Sequence, residues 1–350
     1  MKLNFFTLIS LTFLLTSCST SFTEFFNKKA DAQQRNEELI KSFEGEEKVL
    51  EKFKEKEVPP VVIKVEPKSN KKSTQKKPPK KTITKPKPTK VVIKKSRYPK
   101  DHPKEFIEID KLTKKYWEKF KPTLFEGEKM ILDINYLGVS TGKVAISTMP
   151  SKKIGGIDTY HFHARAKTST YYSYLYELDD NVDSYVDKTS FTPVKFSLIQ
   201  RESSQNIDDL QHFDKDSLQS YIFYKRDRDG KIKKKKETMP TPIRFQDAFS
   251  ILFFLRGLPY EKDETYTVPM MNKGKVLILK AKAGSKEMID TEIGRIDAIK
   301  VIASTQYSGD TLKSGDMTFW FSNDERRIFL KFAAKIKIGS ISGEIEKYER

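Results

Sequence analysis

His161 and His163 stand two residues apart, a spacing that puts both imidazoles on one face of a strand, where they could share a metal. Arg165 and Lys167 fall on that same face and repel a dication, so a solvated strand face is the preferred reading. His102 and His212 bear no predictable relation to the pair. Nucleophilic chemistry has little to draw on. Cys18 is the only cysteine, no Gly-x-Ser-x-Gly elbow occurs, and no histidine has a recognisable Ser or Asp partner. Asp179-Asp180 and Asp208-Asp209 read as turn residues, whereas a glycosidase needs two carboxylates facing across a cleft. The expectation is a protein that is not an enzyme and holds neither metal nor cofactor.

Binding is the other chemistry available. Tyr171, Tyr172, Tyr174 and Tyr176 crowd one stretch, and rings with polar tips could line a groove for lipid or glycan. Packing grounds favour a strand with both faces half buried. Asp247 and Arg256 bracket an almost wholly apolar segment; if it is a buried helix, their charges need partners. Nine residues along a helix separate the two by about 13 Å, so each should pair with strand groups rather than with the other. With Phe249, Phe253 and Trp320, these residues form the candidate lining for an apolar or amphiphilic ligand.

The elements that must hold these residues are mostly strands. Lys129 to Tyr136 alternates Met130, Leu132, Ile134 and Tyr136 with polar neighbours, and Lys143 to Met149 alternates again. Further alternating runs are Thr159 to Thr168, Val194 to Gln200, Leu218 to Tyr224, Val276 to Ala281, Ile296 to Ala303, Met317 to Phe321, Ile328 to Ile338 and Ile341 to Tyr348. No helices intervene at the spacing a parallel sheet requires. The fold class is mainly β: an antiparallel meander forming a curved sheet, half-barrel or barrel. Phe245 to Arg256 reads as one buried helix inside it, with Pro240, Pro242, Gly257 and Pro259 marking its limits. Residues 105 to 121 read as an amphipathic helix along Ile109, Leu112, Tyr116 and Phe120.

The N-terminus places the chain. Lys2 precedes an apolar run from Phe5 to Leu15, too short for a bilayer core that takes roughly 20 residues and the right length for a signal segment. Leu15-Thr16-Ser17-Cys18 resembles the lipobox of bacterial lipoproteins. That resemblance implies removal of residues 1–17 and acylation (palmitate) of Cys18. Ser19 follows where inner-membrane lipoproteins often carry Asp, so an outer-membrane lipoprotein facing the periplasm or the cell surface is expected. A lone cysteine allows no internal disulfide.

Residues 18–57 are polar, with weak apolar spacing at Leu39, Phe43, Val49, Leu50 and Phe53, and read as a partly helical stalk. Residues 58–104 carry sixteen Lys or Arg against Glu66 and Asp101, and nine prolines. Such a segment buries too little to offset its ordering entropy and reads as a disordered linker. As extended polyproline II it would reach roughly 145 Å, enough to carry a domain away from the membrane. Without interleaved aromatics it is not a nucleic-acid binder. Anionic lipid, lipopolysaccharide or peptidoglycan are the expected partners. Residues 105–350 form the β-rich periplasmic domain.

From about Phe125 to Tyr348 the chain resembles the uncharacterised periplasmic family known as domain of unknown function 3108. Gly127-Glu128-Lys129, Tyr136-Leu137-Gly138 with Gly142, the segment Asp247 to Arg256, Gly294 and Trp320-Phe321-Ser322-Asn323-Asp324 carry the resemblance, in that order. It implies an exported β-rich domain without established catalytic residues. Two functions follow as expectations: a tethered module whose curved sheet holds an apolar or amphiphilic envelope molecule, or an interaction protein with a filled core. An empty apolar concavity favours the first and a packed interior the second.

Overall fold

The computed structural model of the chain describes residues 30–43, 45–58, 97–307, 310–311, 317–335 and 339–350. Cys18, the signal segment 1–17 and residues 59–96 of the basic run lie outside them.

The elements run α1 (Ala30–Lys41), α2 (Glu47–Lys52), β1 (Glu55–Glu57), α3 (Lys104–Lys119), β2 (Lys129–Tyr136), β3 (Val139–Ile154), β4 (Ile157–Thr168) and α4 (Thr170–Ser173). There follow β5 (Asp179–Asp187), β6 (Pro193–Glu202), β7 (Gln205–Asp214), β8 (Gln219–Arg228), β9 (Lys231–Pro240), β10 (Gln246–Asp247) and α5 (Ser250–Arg256). The chain closes with β11 (Thr265–Asn272), β12 (Lys275–Thr291), β13 (Gly294–Tyr307), β14 (Asp310–Thr311), β15 (Met317–Ser322), β16 (Phe329–Lys335) and β17 (Ser340–Glu349). From β2 to β9 each strand pairs antiparallel with the next, and β11 through β17 do the same, β14 lying only against β13. The pair β17–β2 joins both runs into one curved, unclosed sheet. Its edges are β9 and β11, the latter with the short parallel β10 against it. The meander with a buried helix is as the sequence predicts.

Alternation explains the burial. Met130, Leu132 and Ile134 of β2, Val144 and Ile146 of β3, and Phe162, Ala164 and Ala166 of β4 face one interior. Bulges at Ile134/Asn135 and Ile345/Lys347 help the sheet curl around it. All seven residues of α5 are buried there. The helix is shorter than the predicted Phe245 to Arg256. The Asp247 carboxylate accepts the Phe249 and Ser250 N–H groups at 2.8 and 2.7 Å, while Ser250 Oγ accepts the Asp247 N–H. This reciprocal capping starts the helix at Ser250 and leaves Gln246-Asp247 extended as β10.

The gap between the two sheet edges is closed by α3. Its Asp110 accepts the Ile243 and Arg244 N–H groups, at 2.9 and 2.8 Å, just past β9. Its Tyr116 hydroxyl donates to Thr265 O on β11. Phe120 stacks on Phe254 at 4.6 Å, and a Cβ on Gly257 would lie 2.2 Å from the Phe120 ring, so only glycine fits there. Asp110→Ala strands two backbone donors and should cost about 1–3 kcal/mol. In hydrogen exchange, protection should drop first at residues 241–245; unchanged protection there would show that α3 does not hold the seam.

The N-terminal segment departs from the expected stalk. Leu39, Ile40, Val49 and Phe53 pack on Ile154, Tyr185, Val194, Leu210 and Phe223 of the outer sheet face, a second core. Phe53 stacks on His212 at 4.4 Å, Asn36 accepts from Ser197, and Glu55 pairs with both Lys152 and Lys195. These apolar residues lack a heptad because their partner is a sheet, not a helix. The packed domain also begins before residue 105: Tyr98 donates to Asp110, and His102 is buried against Tyr98 and Phe106. Residues 59–96 therefore leave from and return to one domain.

Candidate functional site

The predicted site residues fall in three places. Tyr171 and Tyr172 lie in α4 and Tyr174 just beyond it, not in a half-buried strand. Tyr171 is 69% and Tyr174 87% exposed, with Leu175 beside them at 74%. Tyr176 turns inward, its hydroxyl donating to Glu202 at 2.8 Å, and burial pushes the phenol up to about 12. Asp247, Phe249, Phe253 and Arg256 belong to the core, where Phe253 stacks on Phe162 at 3.7 Å. Trp320 sits far along the sheet between Lys300 and Lys331, its indole N–H donating to Glu287. No single lining assembles from them.

Both charges are answered, Asp247 by a strand hydroxyl and helix N–H groups, but Arg256 by groups just outside the strands rather than on them. Arg256 makes a two-pronged pair with Glu128 at 2.7 and 2.8 Å, both side chains fully buried, and also donates to the Arg326 and Arg327 carbonyls. Tyr348 donates to the same carboxylate. Gly127-Glu128-Lys129, the helix and the turn after Trp320-Phe321-Ser322-Asn323-Asp324 thus converge on one cluster. Asp247 also accepts from Ser184 of β5, and burial pushes its carboxyl up.

His161 and His163 do share a face with Arg165, but it is not solvated. Both imidazoles bond one oxygen of Asp183, at 2.7 and 2.9 Å, and Arg165 clamps Asp179. Burial raises the Asp183 carboxyl, and His163 and His161 reverse that, holding it well below the usual range. Asp179-Asp180 and Asp208-Asp209 are strand residues, not turns. Each pair sends one carboxylate to each face of the sheet. On the inner face, Asp180 accepts Gln200 Nε2 and the Arg201 N–H at 3.0 and 2.9 Å; burial pushes it up to about 8. Asp209 accepts from Gln211 at 3.1 Å and is pushed up by burial to about 6. The β11–β12 turn reaches this wall, with Gly274 against Glu237, Ile222 and Met239, and Lys273 Nζ 5.6 Å from the Tyr224 ring. The inner polar wall went unseen in the sequence. Its signal is the two-residue period Asp180, Val182, Ser184, Val186.

The two ends of the sheet differ. The turns after β2, β4, β6 and β8 lie at one end, here the tyrosine end; those after β3, β5 and β7 lie at the other, the cleft end. Ala32 and Arg35 of α1 reach the tyrosine end, lining with Glu177, Ser203 and Asn206 a polar recess of about 320 Å³. At the cleft end, Arg97, Trp117, Asp187, Asp214, Lys215 and Arg244 border an open cleft of about 600 Å³. β1, which precedes residue 58, pairs there with residues 152–154 of β3. Both flanks of the basic segment 59–96, which holds thirteen lysines and one acid, therefore sit at the cleft end.

The family described as "Protein of unknown function (DUF3108)" matches residues 132–346, and the chain belongs to it. No curated protein matches the chain. Among solved structures, a "Beta-barrel-like Protein of Domain of Unknown Function DUF1849" from Brucella abortus superposes with a TM-score of 0.42 at 9% identity, covering 64% of this chain and 97% of that one. A "putative lipoprotein" from Parabacteroides distasonis gives 0.27 at 10% identity, over 64% and 96%.

Proposed function

We propose that this family member is a lipid-anchored protein of the cell envelope that acts by surface contact, its basic segment meeting an anionic envelope polymer such as peptidoglycan. One observation carries the reading: both flanks of segment 59–96 are fixed at the cleft end, while α1 leads back from the tyrosine end toward Cys18. The described residues that flank this charge-rich run thus lie at the end of the domain opposite the start of α1. The interior favours this over a carrier with an internal ligand, because α5 fills the concavity with Phe253, Phe254 and Leu255 at zero exposure. No enzymatic role is proposed.

Two measurements test it. Cys18→Ala should lose palmitate label and leave the membrane fraction; a variant that keeps both removes the anchor. Purified chain should co-sediment with peptidoglycan sacculi at low salt and release as ionic strength shortens the screening length. Replacing the thirteen lysines of 59–96 with glutamine should abolish this. Equal binding by that variant would move the contact elsewhere on the domain.

A further inference from the structure

The tyrosine end carries an exposed apolar and aromatic tip that the packed domain does not use. Besides Tyr171, Tyr174 and Leu175, the β2–β3 turn at that end exposes Leu137 and Val139, at 59% and 48%. Large apolar side chains left in water on a protein with a filled core mark a contact surface. Tyrosine and leucine at one tip suit the boundary between headgroups and acyl chains, where a ring buries its body and keeps its hydroxyl wet.

Charge at the same end points to the sign of that boundary. The β8–β9 hairpin, whose tip is residues 229–230, holds eight basic residues against Asp227 and Asp229 over 225–236. Arg228, Lys231 and Lys233 are exposed around the tip. Lys231 and Lys233 lie on the edge strand β9 with Arg228 beside them on β8, while farther along β9 Lys235 pairs with Glu237 and Lys236 with Glu46. Glu177 is the exposed acid beside the tyrosines.

Chain length fixes which surface this end can meet. Eleven residues, and so twelve Cα–Cα steps, lie between Cys18 and Ala30, the start of α1. They reach at most about 40 Å when fully extended, and about 20 Å as a coil. The ten-residue strands β6 and β7 alone span about 33 Å. At its coil length, an anchor joined through α1 keeps the tyrosine end nearer the bilayer than the cleft end.

We infer that the tyrosine end docks on an anionic bilayer, with Tyr171, Tyr174 and Leu175 seated among the headgroups and the β8–β9 hairpin on lipid phosphates. The inference takes the proximity of the bilayer from the lipid-anchor reading, but the contact itself needs no acyl chain. The domain is then oriented as well as tethered, with the residues that flank segment 59–96 on its outward side.

The test uses the full mature chain from residue 18, unacylated as Cys18→Ser, with vesicles of phosphatidylethanolamine containing one-quarter phosphatidylglycerol. Leu175→Trp should show blue-shifted emission on vesicle addition, relative to the same chain without the substitution, and quenching by lipids brominated along the acyl chain. Tyr174→Ser with Leu175→Ser, both exposed and so harmless to the fold, should weaken vesicle binding about tenfold, the worth of one buried leucine-sized side chain. Arg228→Glu with Lys231→Glu and Lys233→Glu should weaken it further and flatten its salt dependence. If Leu175→Trp binds vesicles without quenching, and binding disappears only when the lysines of 59–96 are neutralised, the chain lies on lipid through its other end and the inference fails. A concentration-dependent dimer abolished by the tip variant would fail it too, by giving the tip a second copy as occupant. Palmitate labelling of the wild-type chain in cells reports on the anchor separately. Lost labelling with intact quenching removes the anchor and leaves the docking.

Discussion

Arg256→Met destabilises the domain by about 3–5 kcal/mol, because it leaves the Glu128 carboxylate buried without its cation. Glu128 is fully buried, and its carboxylate also accepts from the Tyr348 hydroxyl at 3.2 Å. The guanidinium also satisfies the Arg326 and Arg327 carbonyls at 3.1 and 2.8 Å. Its loss therefore loosens the β15–β16 turn as well as the β2 entry. Glu128→Gln should cost less, since the amide oxygen still accepts from one prong. The double substitution Glu128→Leu with Arg256→Met should recover most of the loss, because a hydrophobic pair can replace a buried ion pair at little net cost. Urea unfolding of the wild type, Glu128→Leu, Arg256→Met and the double variant gives the coupling directly. A double variant as unstable as the sum of both singles would show that the pair is not an isolated two-body lock.

The strands that could be read from the sequence are those with one apolar face and one wet face. Three others, β5, β7 and β9, escape that pattern for different reasons. Strand β5 reads Asp-Asp-Asn-Val-Asp-Ser-Tyr-Val-Asp because neither face is purely apolar: Asp183 answers two imidazoles on the outside and Asp180 two amide donors on the inside. Strand β7 places Leu210 and His212 under the N-terminal segment and Asp209 and Gln211 within, so polarity no longer reports exposure. Strand β9 looks like a loop because its lysines are exposed. It is nonetheless a full ten-residue partner of β8, and the charges keep its free edge from recruiting another strand. The same confusion hid the docking of residues 30–57, whose apolar residues look too sparse for a helical partner yet suffice for a sheet. Among the candidate residues, the structural fate of Asp247 and Arg256 was legible because a buried charge must be answered. The exposure of the tyrosine tip was not legible, since nothing local separates a half-buried strand from a protruding turn.

Those buried acids set a pH dependence with a definite sign. Asp180 is pushed up to about 8 by burial, with the nearby Glu202 charge in the same direction. In the unfolded chain it ionises near 4. Between those values the native protein keeps a proton that the unfolded chain has released. The stability from this group is thus complete below pH 4, falls as pH rises, and is gone above about 8. The slope is about 1.4 kcal/mol per pH unit while both conditions hold, so the loss is on the order of a few kcal/mol. Asp209, pushed up to about 6, adds a smaller loss ending near that value. Asp183 acts oppositely: its lowered carboxyl gives stability present above the ordinary carboxylate range and lost on acidification. Asp180→Asn cannot ionise, and its oxygen can still accept the Arg201 N–H. It should match the wild type only below about pH 4, exceed it by about 1.4 kcal/mol at pH 5 and by on the order of a few kcal/mol more at pH 8.5, with part of the remaining dependence assigned to Asp209. Denaturant midpoints at pH 5, 6.5 and 8.5 measure this. If the variant is less stable than the wild type at pH 8.5, the ionised carboxylate is worth more to Gln200 and Arg201 than its burial costs. The inner wall would then be an ion-binding surface rather than a neutral one.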